Sequence, residues 1–146
     1  YTTDASGLSS TRAAASNPNK WKVLPEIISK EPLGPLVRHG DHQWGDVVRW
    51  SLNAMIIAEE LGVTSENVDA QKSSNVPEVL RLLGVEGSYG EMLELAPDWA
   101  YQIIKQIGNY SESYEANVGP DTPLEIARGL NALWTQGGIL YAPPFR

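Results

Sequence analysis

Apolar positions recur at helical rather than strand spacing along most of this chain. Residues 41–62, DHQWGDVVRWSLNAMIIAEELG, are the clearest case: Trp44, Val47/Val48, Leu52 and Met55/Ile56 repeat every three or four residues down to Glu59. Asp41 stands where an N-cap belongs and Gly62 where a helix stops. Residues 97–108, PDWAYQIIKQIG, place Trp99, Ile103 and Ile107 on one face between a Pro97-Asp98 start and a Gly108 end. A short helix is predicted over 5–16 (ASGLSSTRAAAS), broken by Asn17-Pro18-Asn19. Two more are predicted near 65–72 and 76–83, followed by a glycine-bearing loop, and a further turn or two carries Tyr110 and Tyr114. In TPLEIARGLNALW the pattern predicts a capping-box helix. Thr122 accepts from the amide three residues on, Pro123 takes the first helical position and Glu125 reaches back. Ile126, Leu130 and Leu133 would be its buried face, and Gly137-Gly138 its end. The tail ILYAPPFR reads as extended.

Strand signals are few. Residues 1–4 read as the end of a strand, 21–24 (WKVL) as a brief strand, and Leu36-Val37 as another. Between them PEIISKEPLGPLVRHG, residues 25–40, carries three prolines and suits an extended connector, because proline disfavours both helix and central strand. So few strands do not make an ordinary sheet; they look like half of something. Their unpaired edges favour self-association.

Composition narrows the classes. The chain has 146 residues, about one domain, enough to bury a real core. Eighteen Asp plus Glu against eleven Lys plus Arg give a net charge of -7. The basic residues are scattered singly, which argues against nucleic acid and against an anionic membrane surface as partner. The absence of Cys excludes disulfides, thiolate metal sites and cysteine nucleophiles. No apolar run is long enough to span a membrane, and no signal peptide is visible. A start at Tyr1 rather than Met is what a trimmed or truncated chain would show.

Candidate chemistry is sparse. His39, Asp41 and His42 in RHGDH invite a metal reading, but more ligands would have to come from elsewhere, and a solvated helix start explains the run. Gly84, Gly87 and Gly90 (GVEGSYG) loosely resemble a phosphate loop without its Lys-Ser/Thr, so turn chemistry is the simpler reading. Asn109-Tyr110-Ser111 matches a glycosylation triplet of a kind that also arises by chance. The five tryptophans, Trp21, Trp44, Trp50, Trp99 and Trp134, fall mostly on helical apolar faces, where core packing is the default. No Ser-His-Asp signature or paired carboxylates point to catalysis. Asp4, in YTTDASGL, sits where a strand would turn into a helix. It is either an N-cap or a carboxylate aimed at a cationic ligand group, and spacing leaves both open.

Several long runs together resemble one family: YTTDASGL, VLPEIISKEPLGPLVR, the QW and VVRW of the long helix, AEELGVTSENVD, DWAYQIIKQIGNY and NVGPDTPLEIARGLNALWTQGGILYAPPFR. They are similar to the periplasmic substrate-binding proteins of polar and general L-amino-acid ABC transporters (the family 3 extracellular solute-binding proteins). The match is weakest between Ser73 and Leu95. The resemblance implies an α/β protein with the type II periplasmic-binding-protein fold, of which this chain would be the C-terminal part, helix-dominated with a few short strands. Residues 1–24 would then be the last segment of lobe 2, 25–35 the crossover or hinge, and 36–146 the C-terminal strand and helices of lobe 1. Asp4 matches the family's acidic residue that holds the ligand's α-ammonium, and Thr3 and Thr2 would line the same cleft. Glu26, Ile27, Lys30, Leu33 and Gly34 would lie in the hinge. The partners implied are an L-amino acid and a membrane permease, in the periplasm, with no cofactor, no metal and no catalysis. The arginine that would pair with the α-carboxylate would belong to the other part of the protein.

Two readings from other classes stand beside this one. A dehydratase-like enzyme on the same scaffold would need an acid or base in the cleft, for which Asp4 is the sole candidate here. A free-standing helical interaction domain would fit the helix content and the caps.

Overall fold

The structure, a computed structural model, describes all residues 1–146. It holds seven α-helices: α1 Ala5–Ala13, α2 His42–Glu60, α3 Val68–Gln71, α4 Pro77–Leu82, α5 Tyr89–Met92, α6 Trp99–Ile107 and α7 Tyr110–Asn117. Three 3-10 turns, Pro18–Lys20, Gly129–Asn131 and Trp134–Gln136, complete the regular structure. The chain divides into two units. One comprises residues 1–35 with 114–128, the other 36–113 with 129–146.

The larger unit is built on α2. Asp41 accepts from the Trp44 amide at 3.1 Å, the expected N-cap, and α2 packs against both α4 and α6, with α3 also on α6. Its buried residues are Ala54, Ile56, Ile57 and Ala58, in the C-terminal half of the helix. Trp44 and Leu52, predicted on the buried stripe, are exposed. From α6, Trp99, Ala100 and Ile104 are buried while Ile107 is exposed, so the buried face is turned by one residue from the predicted one. Leu82, Leu83, Ile104, Val63 and Val68 are the largest fully buried side chains. Full burial of each contributes about 1.5–3 kcal/mol. The irregular C-terminal tail belongs to this core. Phe145 stacks on Trp50 at 5.3 Å between ring centroids and meets Trp99 edge-on at 6.1 Å.

Asn109 ties this unit together and cannot carry a glycan as it stands. It is buried, and its Nδ2 donates to the Val63 carbonyl at 2.9 Å. Its Oδ1 accepts from the Glu112 amide at 3.0 Å, while Glu112 accepts from the Asn109 amide at 2.8 Å. This is a reciprocal cap on α7. The Glu112 carboxylate also accepts from the Ser65 hydroxyl at 2.6 Å.

The smaller unit contains α1 and the long segment 21–35. An ion pair from Arg12 of α1 to Glu125 links its two stretches of chain. Tyr114 donates its hydroxyl to the Ala127 carbonyl at 3.1 Å.

Three expectations fail. None of the strands at 1–4, 21–24 or 36–37 forms; the one β-type contact is a lone bridge between Leu133 and Leu140. The helix beginning at Thr122 does not form either. Glu125 adopts φ +53°, its carboxylate pairs with Arg12 instead of the Thr122 amide, and the Ile126 amide donates to Val118 O at 3.0 Å. A left-handed residue and two longer-range bonds replace the helical ladder. Lastly, Trp21, Trp44 and Trp134 are exposed; Trp99 is buried and Trp50 half-buried, so core packing holds for two of the five. In the glycine-bearing loop, Gly84 and Gly87 adopt φ +70° and +83°, and Gly90 lies within α5. A Cβ on Gly84 would stand 1.9 Å from the Pro97 carbonyl oxygen, so this glycine serves a turn and a close backbone approach.

Candidate functional site

Asp4 caps α1. Its backbone is extended (φ -60°, ψ 160°), and its Oδ1 accepts from the Gly7 amide at 2.8 Å and from the Ser6 hydroxyl. Its Oδ2 accepts from the Thr3 hydroxyl at 3.2 Å. A side chain at Gly7 would press to 2.9 Å on the Thr3 methyl and 3.0 Å on Asp4 Oδ2, so the glycine keeps the carboxylate in place. The Ser6 hydroxyl foremost, then the Gly7 amide, hold the Asp4 carboxyl below its ordinary range. The group is therefore an oriented, partly exposed anion at neutral pH. One oxygen is committed to the helix end and the other is bonded to a single hydroxyl. That is the chemistry needed to accept from an ammonium group.

The other sequence-predicted site residues gather less structure around them. Thr2 and Thr3 are exposed, and Thr3 touches Asp4 through its hydroxyl. Glu26, Ile27, Lys30, Leu33 and Gly34 are exposed in a segment without regular structure, and a Cβ at Gly34 would have nothing within 4 Å. Asp41 is engaged as the cap of α2, with His42 as the first helical residue after it. No three His, Cys, Asp or Glu side chains come together as a metal-ligand group.

The sequence offers Asp4 as a cap for α1 but gives no sign of what anchors that helix. Arg12 pairs with Glu125, and its Nε is buried without a partner. No short-range pattern signals a partner more than a hundred positions away. A second charged group of residues was missed for the same reason. Asp69 of α3 accepts from Lys105 Nζ at 2.7 Å and from the Tyr101 hydroxyl at 2.8 Å, both on α6. The Lys105 hydrogen bond foremost lowers the Asp69 carboxyl from its ordinary value, and the hydrogen bond to Asp69 raises the Tyr101 phenol.

No protein-family model matches the chain. Among curated proteins it is 56% identical over 147 residues to the glutamate/glutamine/aspartate/asparagine-binding protein BztA of Rhodobacter capsulatus, covering 100% of this chain and 44% of that one. It is likewise 56% identical over 148 residues to the general L-amino acid-binding periplasmic protein AapJ of Rhizobium johnstonii, covering 100% of this chain and 43% of AapJ. Among solved structures, an ABC transporter periplasmic binding protein from Brucella ovis with glutathione bound superposes at a TM-score of 0.95. The two share 52% identity over 100% of this chain and 46% of that one. The chain thus spans a little under half the length of the relatives it matches. With more than half of its residues identical to theirs across its whole length, the chain is similar to a stretch of less than half of these amino-acid ABC transporter binding proteins.

Proposed function

We propose that this chain is the C-terminal part of a periplasmic solute-binding protein that captures an L-amino acid and delivers it to a membrane permease, without catalysing a reaction. The observation that carries this reading is the match of the whole chain to such proteins at 52–56% identity. In the proposal residues 1–24 end the second lobe and 25–35 form the hinge. Residues 36–146 supply the C-terminal elements of the first lobe, except that 114–128 go with residues 1–35, with which they pack. Support comes from the change of compact unit after Pro35 and from the lack of regular structure at 21–35. Glu26, Ile27, Lys30, Leu33 and Gly34 would be the residues whose dihedral angles change on closure. Closure then follows the ligand's differential affinity: contacts from both lobes exist only in the closed form.

Asp4 would bind the α-ammonium, with Thr3 and Thr2 beside it. Its orientation by Ser6 and Gly7 supports the assignment, because a carboxylate already held in place loses less freedom on binding. The glutathione of the Brucella ovis protein also carries an α-amino-acid end, which the same carboxylate could bind.

Asp4→Asn separates the two roles, since Asn caps a helix about as well as Asp. It should be tested in a chain extended to the relatives' length, by calorimetric titration with L-glutamate, L-glutamine and glutathione. The proposal expects a loss of about tenfold or more for every ligand at unchanged melting temperature. Unchanged affinity for all three would leave Asp4 a cap and remove it from the site.

A further inference from the structure

The larger unit holds a second feature that substrate capture at Asp4 does not use. A cavity of about 250 Å³ opens between the end of α2, Glu78 of α4 and the C-terminal tail. Two of its walls are the rings of Trp134 and Tyr141, set 5.7 Å apart at 71°. Both rings face solvent, with 51% and 68% of their residues' surface exposed. The Trp134 indole N–H donates to Glu60 Oε1 at 3.1 Å, which fixes a carboxylate against the cavity.

The charge around this cavity is unusual for its position. Glu60 is the last residue of α2, a 19-residue helix with no basic residue in its last turn. A helix C-terminus carries partial negative charge and ordinarily favours cations, so an acidic residue there is locally unfavourable. Such a local conflict is the kind that functional sites retain. Glu78 is answered by Arg81 at 3.4 Å, and the Arg81 Nε donates to the Phe145 carbonyl at 3.2 Å. Glu60 accepts from the neutral indole, and no ion pair engages it. The cavity therefore combines an uncompensated carboxylate, a negative helix end, two aromatic walls and an apolar floor at Leu61 and Phe145.

We infer that this cavity binds an organic cation: an ammonium or guanidinium group on a short apolar stem. The Glu60 carboxylate pairs with such a head, the Trp134 and Tyr141 rings flank it, and the floor receives the stem. A neutral molecule of the same shape gains only the floor.

The test follows the Trp134 indole N–H by NMR in the 146-residue chain, the signal being assigned through Trp134→Phe. The probes are n-butylguanidinium chloride, n-butanol and sodium chloride. The expected result is a saturable shift with butylguanidinium alone. Its midpoint should weaken about tenfold in Glu60→Gln, which keeps an acceptor for the indole, and severalfold in Tyr141→Leu. A blocked Gly-Arg-Gly peptide distinguishes the source of the cation. If it shifts the indole as butylguanidinium does, the occupant is a basic side chain of a partner protein; if it does not, the occupant is a free small cation. A butanol midpoint equal to that of butylguanidinium overturns the inference, as does a midpoint unchanged in Glu60→Gln or no saturable shift at all.

Discussion

Replacing Asn109 offers the sharpest test of how the larger unit is held. Asn109→Ala removes two things. The carbonyl of Val63, a residue fully shielded from solvent, loses its donor, and the amide of Glu112 loses its acceptor at the start of α7. An orphaned buried carbonyl costs about 1–3 kcal/mol and a lost cap about 1 kcal/mol, so the sum is about 2–4 kcal/mol. With a urea slope of about 1.5 kcal/mol per molar, the unfolding midpoint falls by roughly 1.3–2.7 M. Asn109→Asp discriminates further. It keeps the capping oxygen but sets a second oxygen against the Val63 carbonyl and a negative charge beside Glu112. It should therefore destabilise at least as much as the alanine variant, although aspartate is as good an N-cap as asparagine. Urea titrations followed by circular dichroism read both values. If Asn109→Asp lies within about 0.5 kcal/mol of the parent, the amide donor does not hold the Val63 loop and the reasoning is wrong.

Gly84→Ala should lower stability by more than about 2 kcal/mol in the same assay, since both the positive φ and the Pro97 carbonyl oppose a Cβ, whereas Gly34→Ala should change it by less than about 0.5 kcal/mol. The Tyr101 phenol, raised by its hydrogen bond to Asp69, should titrate by ultraviolet absorbance above the ordinary tyrosine range and return toward it in Asp69→Asn. Because the folded-state value is raised, the stability from this contact is complete below the ordinary phenol pKa and is lost as pH rises through the folded value. At the acid end the sign reverses: Asp4 and Asp69 have lowered values, so their contributions are present above the ordinary carboxylate pKa and fade as pH falls through the folded ones. A phenol titration midpoint unaffected by Asp69→Asn would contradict the α3–α6 link.

What the sequence disclosed was local in origin. The cap at Asp41, the places of α4 and α6 and the carboxylate at the start of α1 each depend on residues within one turn. The failures depend on distant partners. Glu125 looks like half of a capping box until Arg12 competes for its carboxylate, and Asn109 looks like a surface triplet until Val63 takes its amide. The register of α2 and α6 is suggested by their most conspicuous apolar residues, but the small residues Ala54, Ala58 and Ala100 are among those buried. Asp4 was legible as a carboxylate at a helix start. That the Ser6 and Thr3 hydroxyls brace it is a matter of geometry that spacing does not give.

The segment 21–35 carries the last prediction. Ile27 and Ile28 are 83% and 78% exposed, and Trp21, Leu24 and Leu33 are also open to solvent. So much unburied apolar surface on one extended stretch, in a chain matching relatives more than twice as long, leads us to expect association between copies. Full burial of the four aliphatic ones is worth about 6–12 kcal/mol, from which association subtracts at least about 4 kcal/mol, leaving at most about 2–8 kcal/mol, so the dimers should be weak, on the order of micromolar at the tightest. Sedimentation velocity from about 5 to 500 μM should then show a concentration-dependent increase in mass, reversed by Ile27→Lys with Ile28→Lys, since two ammonium groups cannot be buried against apolar surface without partners. In a chain of the relatives' length the same lysines should lower the melting temperature instead, because there the isoleucines would be covered from within the molecule. A 146-residue chain that stays monomeric throughout, and a longer chain indifferent to both lysines, would mean that the segment is built to face water, and the hinge assigned to it would lose its physical basis.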